Sequence, residues 1–451
     1  MRDRFVRYGM GIVAIGLLVG CTPVASPDEL LRSPKMKEDE QLIREAVLAN
    51  LPPGSTMMIP RKKQEDGGPI IEKDINGDNS NEIITLYRYN ESDYVHGLLI
   101  LEKQQSGYKK IAEIEGAGKD IDFLSFQDVS GDGKQEVFLG FISEDELSKE
   151  LFGYRWTNGS LQPIMQSTYQ EAVAGDLEQD GKSEVYLFQH DRENYTAKVE
   201  VYEFEGQGMK RTEELPLDGA FNGYEKAVLG KVAPTSEGIY VDVGMGAHSA
   251  ETLLFTNVKG KLTQLKFGEE ANNLLFKPYQ VYSEDINDDG ILEVGTMIAP
   301  VGTGDLSMVD TPWVTQWHQW DGYHTFTKTN EMYFDYQHGF RFDIPDKWKD
   351  NYTISYVTDR QQGSMIFYYV NDDGKKEGEL FRLMVMKREE WEREEAKRMI
   401  SPTASKKMAG GGSQVVIALL PEESALVDKQ SRYQELMLTL DEIAKAFRRI
   451  S

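Results

Sequence analysis

Short alternating runs of apolar and polar residues fill the chain from about residue 69 to 335, and that period of two predicts strands rather than helices. Runs at 82–90, 95–105, 107–115 and 121–129 are separated by Gly-containing turns, and comparable runs stand at 197–205, 252–258 and 315–320. Four strands to a unit is what one blade of a β-propeller requires. Ahead of them, 37–51 has helical spacing through Leu42, Ile43, Ala46, Val47 and Leu51, and Pro52-Pro53-Gly54 stops it. Beyond residue 333 the pattern changes. Strands are expected at 339–345, 353–357, 365–370, 380–386 and 414–420, with helices at 388–399 and about 426–449; the last carries a stripe of Tyr433, Leu436, Met437, Leu440, Ile443, Ala444 and Phe447.

Four acidic loops punctuate the strands. They begin at Asp74, Asp128, Asp176 and Asp285, and each is followed by an apolar strand. The intervals between first aspartates are 54, 48 and 109 residues, so the last spans two periods. A degraded copy should therefore lie near residue 231, and Leu229-Gly230-Lys231-Val232-Ala233 occupies that place. Five units with a period near fifty residues suit propeller blades. The stretch 69–75 looks like the last strand of an incomplete blade. Pairing it with the strands that follow Asp285 would close a ring of five.

The loops carry a consistent donor set. Positions 1, 3 and 5 are Asp74, Asn76 and Asp78; Asp128, Ser130 and Asp132; Asp176, Glu178 and Asp180; and Asp285, Asn287 and Asp289. Position 6 is Asn79, Gly133, Gly181 or Gly290, residues that tolerate positive φ, and position 9 is Glu82, Glu136, Glu184 or Glu293. A hard cation such as Ca2+ takes six to eight oxygens from a flexible cage of this kind. One such loop would be an ordinary hairpin turn. Four in register with a repeat favour metal, because clustered carboxylates repel one another until a dication joins them. Three to four Ca2+ ions are expected, and none at Lys231. The pattern does not fit an EF-hand, which needs flanking helices and a Glu at position 12.

The Asp-x-(Asp/Asn)-x-Asp-Gly-x-x-Glu loop ahead of a strand resembles the FG-GAP/VCBS-type repeat of integrin-alpha-like propellers. That resemblance implies a calcium-stabilised propeller used as a binding or scaffolding domain; with the repeat count, the expected fold is mainly β, a five-bladed calcium-binding β-propeller. Gly339-Phe-Arg-Phe-Asp-Ile-Pro345-Asp-Lys-Trp348, followed by strands and a terminal helix, is similar to PsbP-like α/β domains. It implies a small C-terminal α/β domain and no transferable site. The expected division is 1–20 signal peptide, 21–36 flexible tether, 37–335 helix and propeller, and 336–451 C-terminal domain.

Arg2, Arg4 and Arg7 precede an apolar run too short to span a bilayer, ending Leu18-Val19-Gly20-Cys21. This resembles a bacterial lipobox, and Cys21 is the only cysteine in the chain. The expectation is a protein lipidated at Cys21 and held at the extracytoplasmic face of a bacterial membrane. A net charge of −25 argues against nucleic acid as a partner. The six histidines have no zinc spacing, and no nucleophile elbow or phosphate loop appears. No catalytic residue is assigned. An interaction or scaffold module with an envelope protein or glycan partner is the preferred function. The alternative is a carbohydrate-active lyase or hydrolase, or a glycan binder, whose sugars would stack on the stripe Trp313, Trp317 and Trp320 beside His318.

Overall fold

A computed structural model describes residues 38–62, 68–92, 95–144, 146, 148–359, 362–396, 404–411, 413–421 and 431–450. The expected signal peptide, Cys21 and the tether lie outside the described residues. The chain is mainly β, built from consecutive antiparallel sheets in a propeller-like array.

The first sheet contains Ser55–Met58, Ile70–Lys73, Glu82–Tyr89, Val95–Lys103 and Tyr108–Ala117. The second is Asp120–Gln127, Glu136–Ile142, Lys149–Thr157 and Ser160–Tyr169, and the third is Glu171–Gly175, Glu184–Asp191, Thr196–Glu205 and Gly208–Asp218. The fourth joins Gly223–Ala233, Ser236–Gly244, Ala250–Asn257 and Leu262–Gln264, with Phe276–Lys277 on the Ala250 end. The fifth is Val294–Ile298, Val314–Trp320, Phe326–Asp335, Phe340–Asp343 and Phe447–Arg449. The second and third sheets are four-stranded meanders with tight turns; the first sets Ser55–Met58 and Ile70–Lys73 end to end along Glu82–Tyr89, and the fifth adds Phe447–Arg449.

Burial explains the order. Ile84, Leu98 and Ile100 of the first sheet pack on Ile121, Leu124 and Leu139 of the second. Phe138 and Leu151 of the second meet Ala172, Val185 and Leu187 of the third. The third and fourth share Phe188, Val199, Val241 and Phe255, and the fourth and fifth share Tyr240, Leu254, Val294 and Trp320. Strands 123–127, 172–174 and 227–229, with Lys62 and Lys73, line one common cavity of about 300 Å³. Initial strands of three sheets and Lys73 thus converge on one axis.

The closure expected from the sequence is not present. Ile70–Lys73 pairs antiparallel with Glu82–Thr85 of its own sheet, in the register Ile71↔Ile84 and Lys73↔Glu82. Helix α1 (Glu38–Asn50) accounts for the difference. Its Ile43 and Val47 cover Ile83, Tyr87, Leu99 and Leu101, the face of the first sheet turned away from the second. Buried by a helix, that face has no need of a borrowed blade.

The boundary expected at 335/336 falls inside a continuous sheet, because Phe340–Asp343 pairs with Phe326–Asp335 and then with Phe447–Arg449. A sixth sheet of Tyr352–Asp359, Gln362–Val370, Lys376–Lys387, Gln414–Leu419 and Ser405–Gly411 packs against the fifth through Phe342, Trp348, Phe367 and Phe381. Short α2 (Glu269–Leu275) packs between the fourth and fifth sheets, and α3 (Arg388–Ala396) covers the sixth with Trp391. The long closing helix is broken. Its described part is α4 (Ser431–Leu436) and α5 (Leu440–Ala446), because Thr439 starts a new helix with a capping box to Glu442. The stripe still works: Tyr433, Leu436 and Ile443 are fully buried.

Candidate metal centres

All four acidic loops wind the same way. The position-6 amides of Asn79, Gly133, Gly181 and Gly290 each donate to Oδ2 of the first aspartate at 2.8 Å. The position-7 amides donate to Oδ1 of the fifth-position aspartate at 2.8–3.0 Å. The position-2 amides of Ile75, Val129, Leu177 and Ile286 donate to Oε2 of the ninth-position glutamate at 2.9–3.2 Å. Carboxylates used this way fix the backbone and leave lone pairs free for a cation. Position 6 lies at positive φ throughout, as expected. So does position 4, which the sequence reading missed: Gly77 and Gly131 fit there, whereas Gln179 (φ 58°) and Asp288 (φ 61°) carry strain.

The loops are also joined in series. Gln135 N–H donates to the Ile75 carbonyl, Ser183 N–H to the Asp128 carbonyl and Leu292 N–H to the Lys231 carbonyl. Lys134 lies over Gly77 and Lys182 over Gly131, close enough that a Cβ on either glycine would approach the lysine chain to 3.1 Å. The copy at Lys231 keeps its bond to the Asp285 loop but not its cage. Its strands run on to a tight hairpin with Ala233 paired to Ser236. Gly238 holds the place of the glutamate opposite Gly230, and a Cβ there would come within 2.6 Å of Val232.

Three loops bring acids together closely enough to share one ion. Donor oxygens lie within 4.8 Å of one another in Asp78, Glu82 and Glu102; in Asp176, Asp180 and Glu184; and in Asp285, Asp289 and Glu293. Burial, reinforced by the neighbouring aspartates, pushes the Glu82, Glu184 and Glu293 carboxyls up to about 7. A donor set of carboxylates and amides without His or Cys fits a hard dication. Of the other sequence-predicted donors, Asp74 caps two amides, Asn76 and Asn287 donate to Glu82 and Glu293, and Glu178 accepts from Asn257 of the fourth sheet. The Asp128 loop differs. The Arg155 guanidinium reaches Asp132 at 2.8 Å, Ser130 at 3.4 Å and Glu136 at 3.2 Å.

Glu102 and Arg155 were missed at the sequence level because the hairpin register brings them in. With Ile83 opposite Leu101, Val137 opposite Tyr154, Val185 opposite Tyr202 and Val294 opposite His318, the ninth-position glutamates face Glu102, Arg155, Glu203 and Gln319. Gln319 donates to Asp289 and Glu293 at 2.8 Å.

The aromatic stripe does not form a face. Trp317 and Trp320 are core residues, and His318 is buried, with its basicity reduced to about 4 by that burial. Trp313 alone of the stripe lines an open cavity of about 510 Å³, with Tyr279, Tyr282, His248 and Glu225.

No family model matches this chain, and no curated protein matches it. Among solved structures it is similar to the exotype rhamnogalacturonan lyase YesX (11% identity, 72% of this chain and 84% of that one, TM-score 0.30). A Lactobacillus plantarum protein matches at 12% identity over 65% and 85% of the two chains with a TM-score of 0.29, and TolB from Acinetobacter baumannii at 10% over 64% and 59% with 0.24. Scores at this level carry no argument about activity, and the fold description rests on the sheets themselves.

Proposed function

We propose that this chain is a calcium-binding, propeller-type interaction module, anchored through lipid on Cys21 at the extracytoplasmic face of a bacterial membrane. The observation that carries the calcium reading is the common winding of the acidic loops, which in three cases converges oxygen donors within 4.8 Å. Bound Ca2+ would neutralise these cages and stiffen the turns that join successive sheets. Extracytoplasmic calcium, at millimolar levels, suits weak sites of this type. The five-blade count and the PsbP-like reading of the C-terminal unit belong to the same proposal. Metal analysis after dialysis in millimolar calcium tests it: several ions per chain are expected, and none would return the loops to plain turns. Cys21→Ala should abolish fatty-acid labelling; unchanged labelling would end the anchor reading.

A glycan-binding reading is favoured by one observation, the cavity at Trp313, where Tyr279 packs edge-on at 5.5 Å and Glu225 and Asn222 supply polar edges. Glycan-array binding that Trp313→Ala removes would support it, and an array without hits would leave only the protein-partner reading.

A further inference from the structure

The four cages share one backbone and differ in a residue that is not part of the loop. Across the first strand pair from the ninth position stand Glu102, Arg155, Glu203 and Gln319. Glu102 adds a carboxylate to the first cage, within 4.8 Å of the donors of Asp78 and Glu82. Glu203 lines one cavity with Glu178 of the third loop and adds a carboxylate on that side. Gln319 is neutral, and rotation of its amide would turn an oxygen toward Asp289 and Glu293. Arg155 is the exception, a permanent cation.

Arg155 reaches into the donor set of its loop. The guanidinium contacts the third, fifth and ninth positions of the Asp128 loop together, through Ser130, Asp132 and Glu136. Its carbon lies 4.9 Å from the ring centre of Phe204 on the third sheet, so the side chain is held from behind by the neighbouring sheet. A dication placed among the same oxygens would meet a fixed positive charge at contact distance.

We infer that Arg155 is a built-in cation: the Asp128 loop takes its positive charge from the chain and binds no metal, and the residue opposite the ninth position decides each loop's appetite for metal. This rests on the calcium reading of the other three loops. It has a mechanical consequence. The Asp128 loop is the middle member of the hydrogen-bonded series that runs from Ile75 to Ser183, so a metal-independent joint sits between two metal-dependent ones.

Counting ions tests it. At saturating calcium the full chain should bind three, and Arg155→Gln, which copies the Gln319 arrangement, should bind four. In chelator the Arg155→Gln protein should melt below the wild type, and calcium should raise its melting temperature by more than it raises that of the wild type. The reciprocal variant Glu203→Arg should lose one ion, and it keeps the test intact should Arg155→Gln fail to fold. Four ions in the wild type would overturn the inference. So would an unchanged count of three in Arg155→Gln, or an unchanged count in Glu203→Arg, with the calcium reading left standing in each case. No ion in any of the proteins would overturn both.

Discussion

Asp242 and Lys277 are both fully buried, and their environment explains how they are tolerated. The Asp242 carboxylate accepts from Lys277 Nζ at 3.0 Å, Thr252 Oγ1 at 2.5 Å, and the Ser283 amide and hydroxyl at 2.7 and 3.1 Å. This staple ties the fourth sheet to the segment that leads into the Asp285 loop. Removing one partner of a buried pair strands the other, so Lys277→Ala should cost about 3–5 kcal/mol in denaturant unfolding. A loss below about 1 kcal/mol would mean that water reaches the pair. The glutamates of the cages make a second prediction at this scale. Glu82, Glu184 and Glu293 rise from the ordinary 4.5 to about 7, so between those values they stay protonated in the fold and ionise in the unfolded chain. The folded state then holds more protons, and metal-free stability falls as pH rises through that window. Melting scans in chelator from pH 5 to 8 should decline, with calcium restoring stability most at the upper end; a flat profile would contradict it.

Among the elements, the acidic loops were legible because everything that winds them lies within nine residues. In each loop the sixth-position amide bonds the first aspartate, and the fifth and ninth carboxylates accept loop amides. Glu102, Arg155, Glu203 and Gln319 were not, since they enter through the register of a hairpin rather than through the loop, and register depends on cross-strand packing. The same limit hid the break at Thr439, where a capping box outweighs a continuous apolar stripe. The strained fourth position gives the test at this scale. Gln179 carries a side chain at φ 58° where two sister loops use glycine, so Gln179→Gly should raise stability by about 1 kcal/mol. A decrease in the thermal midpoint would show that its side chain, not its backbone, matters there.

At the scale of the molecule, successive sheets bury one another in series, and α1 covers the free face of the first. The repeat period identified the units and their order, including the degraded copy at Lys231. It did not identify how the array ends, because pairing of Ile70–Lys73 and docking of α1 are decided by long-range burial that periodicity does not encode. Val47 of α1 is fully buried against the first sheet, so Val47→Asp should cost about 2–4 kcal/mol and promote association through the uncovered face. Unchanged stability and an unchanged association state would remove α1 from its capping role. Metal at the loops is tested most directly by the thermal midpoint of the full chain with and without calcium, paired with ion counting. Ligand bound only by the folded state adds about 2.7 kcal/mol at a hundredfold excess over Kd. The midpoint should therefore rise markedly in millimolar calcium and fall on chelation, with Asp285→Ala losing one ion and Lys231→Ala losing none. An identical midpoint in calcium and chelator, with no ion bound, would contradict it.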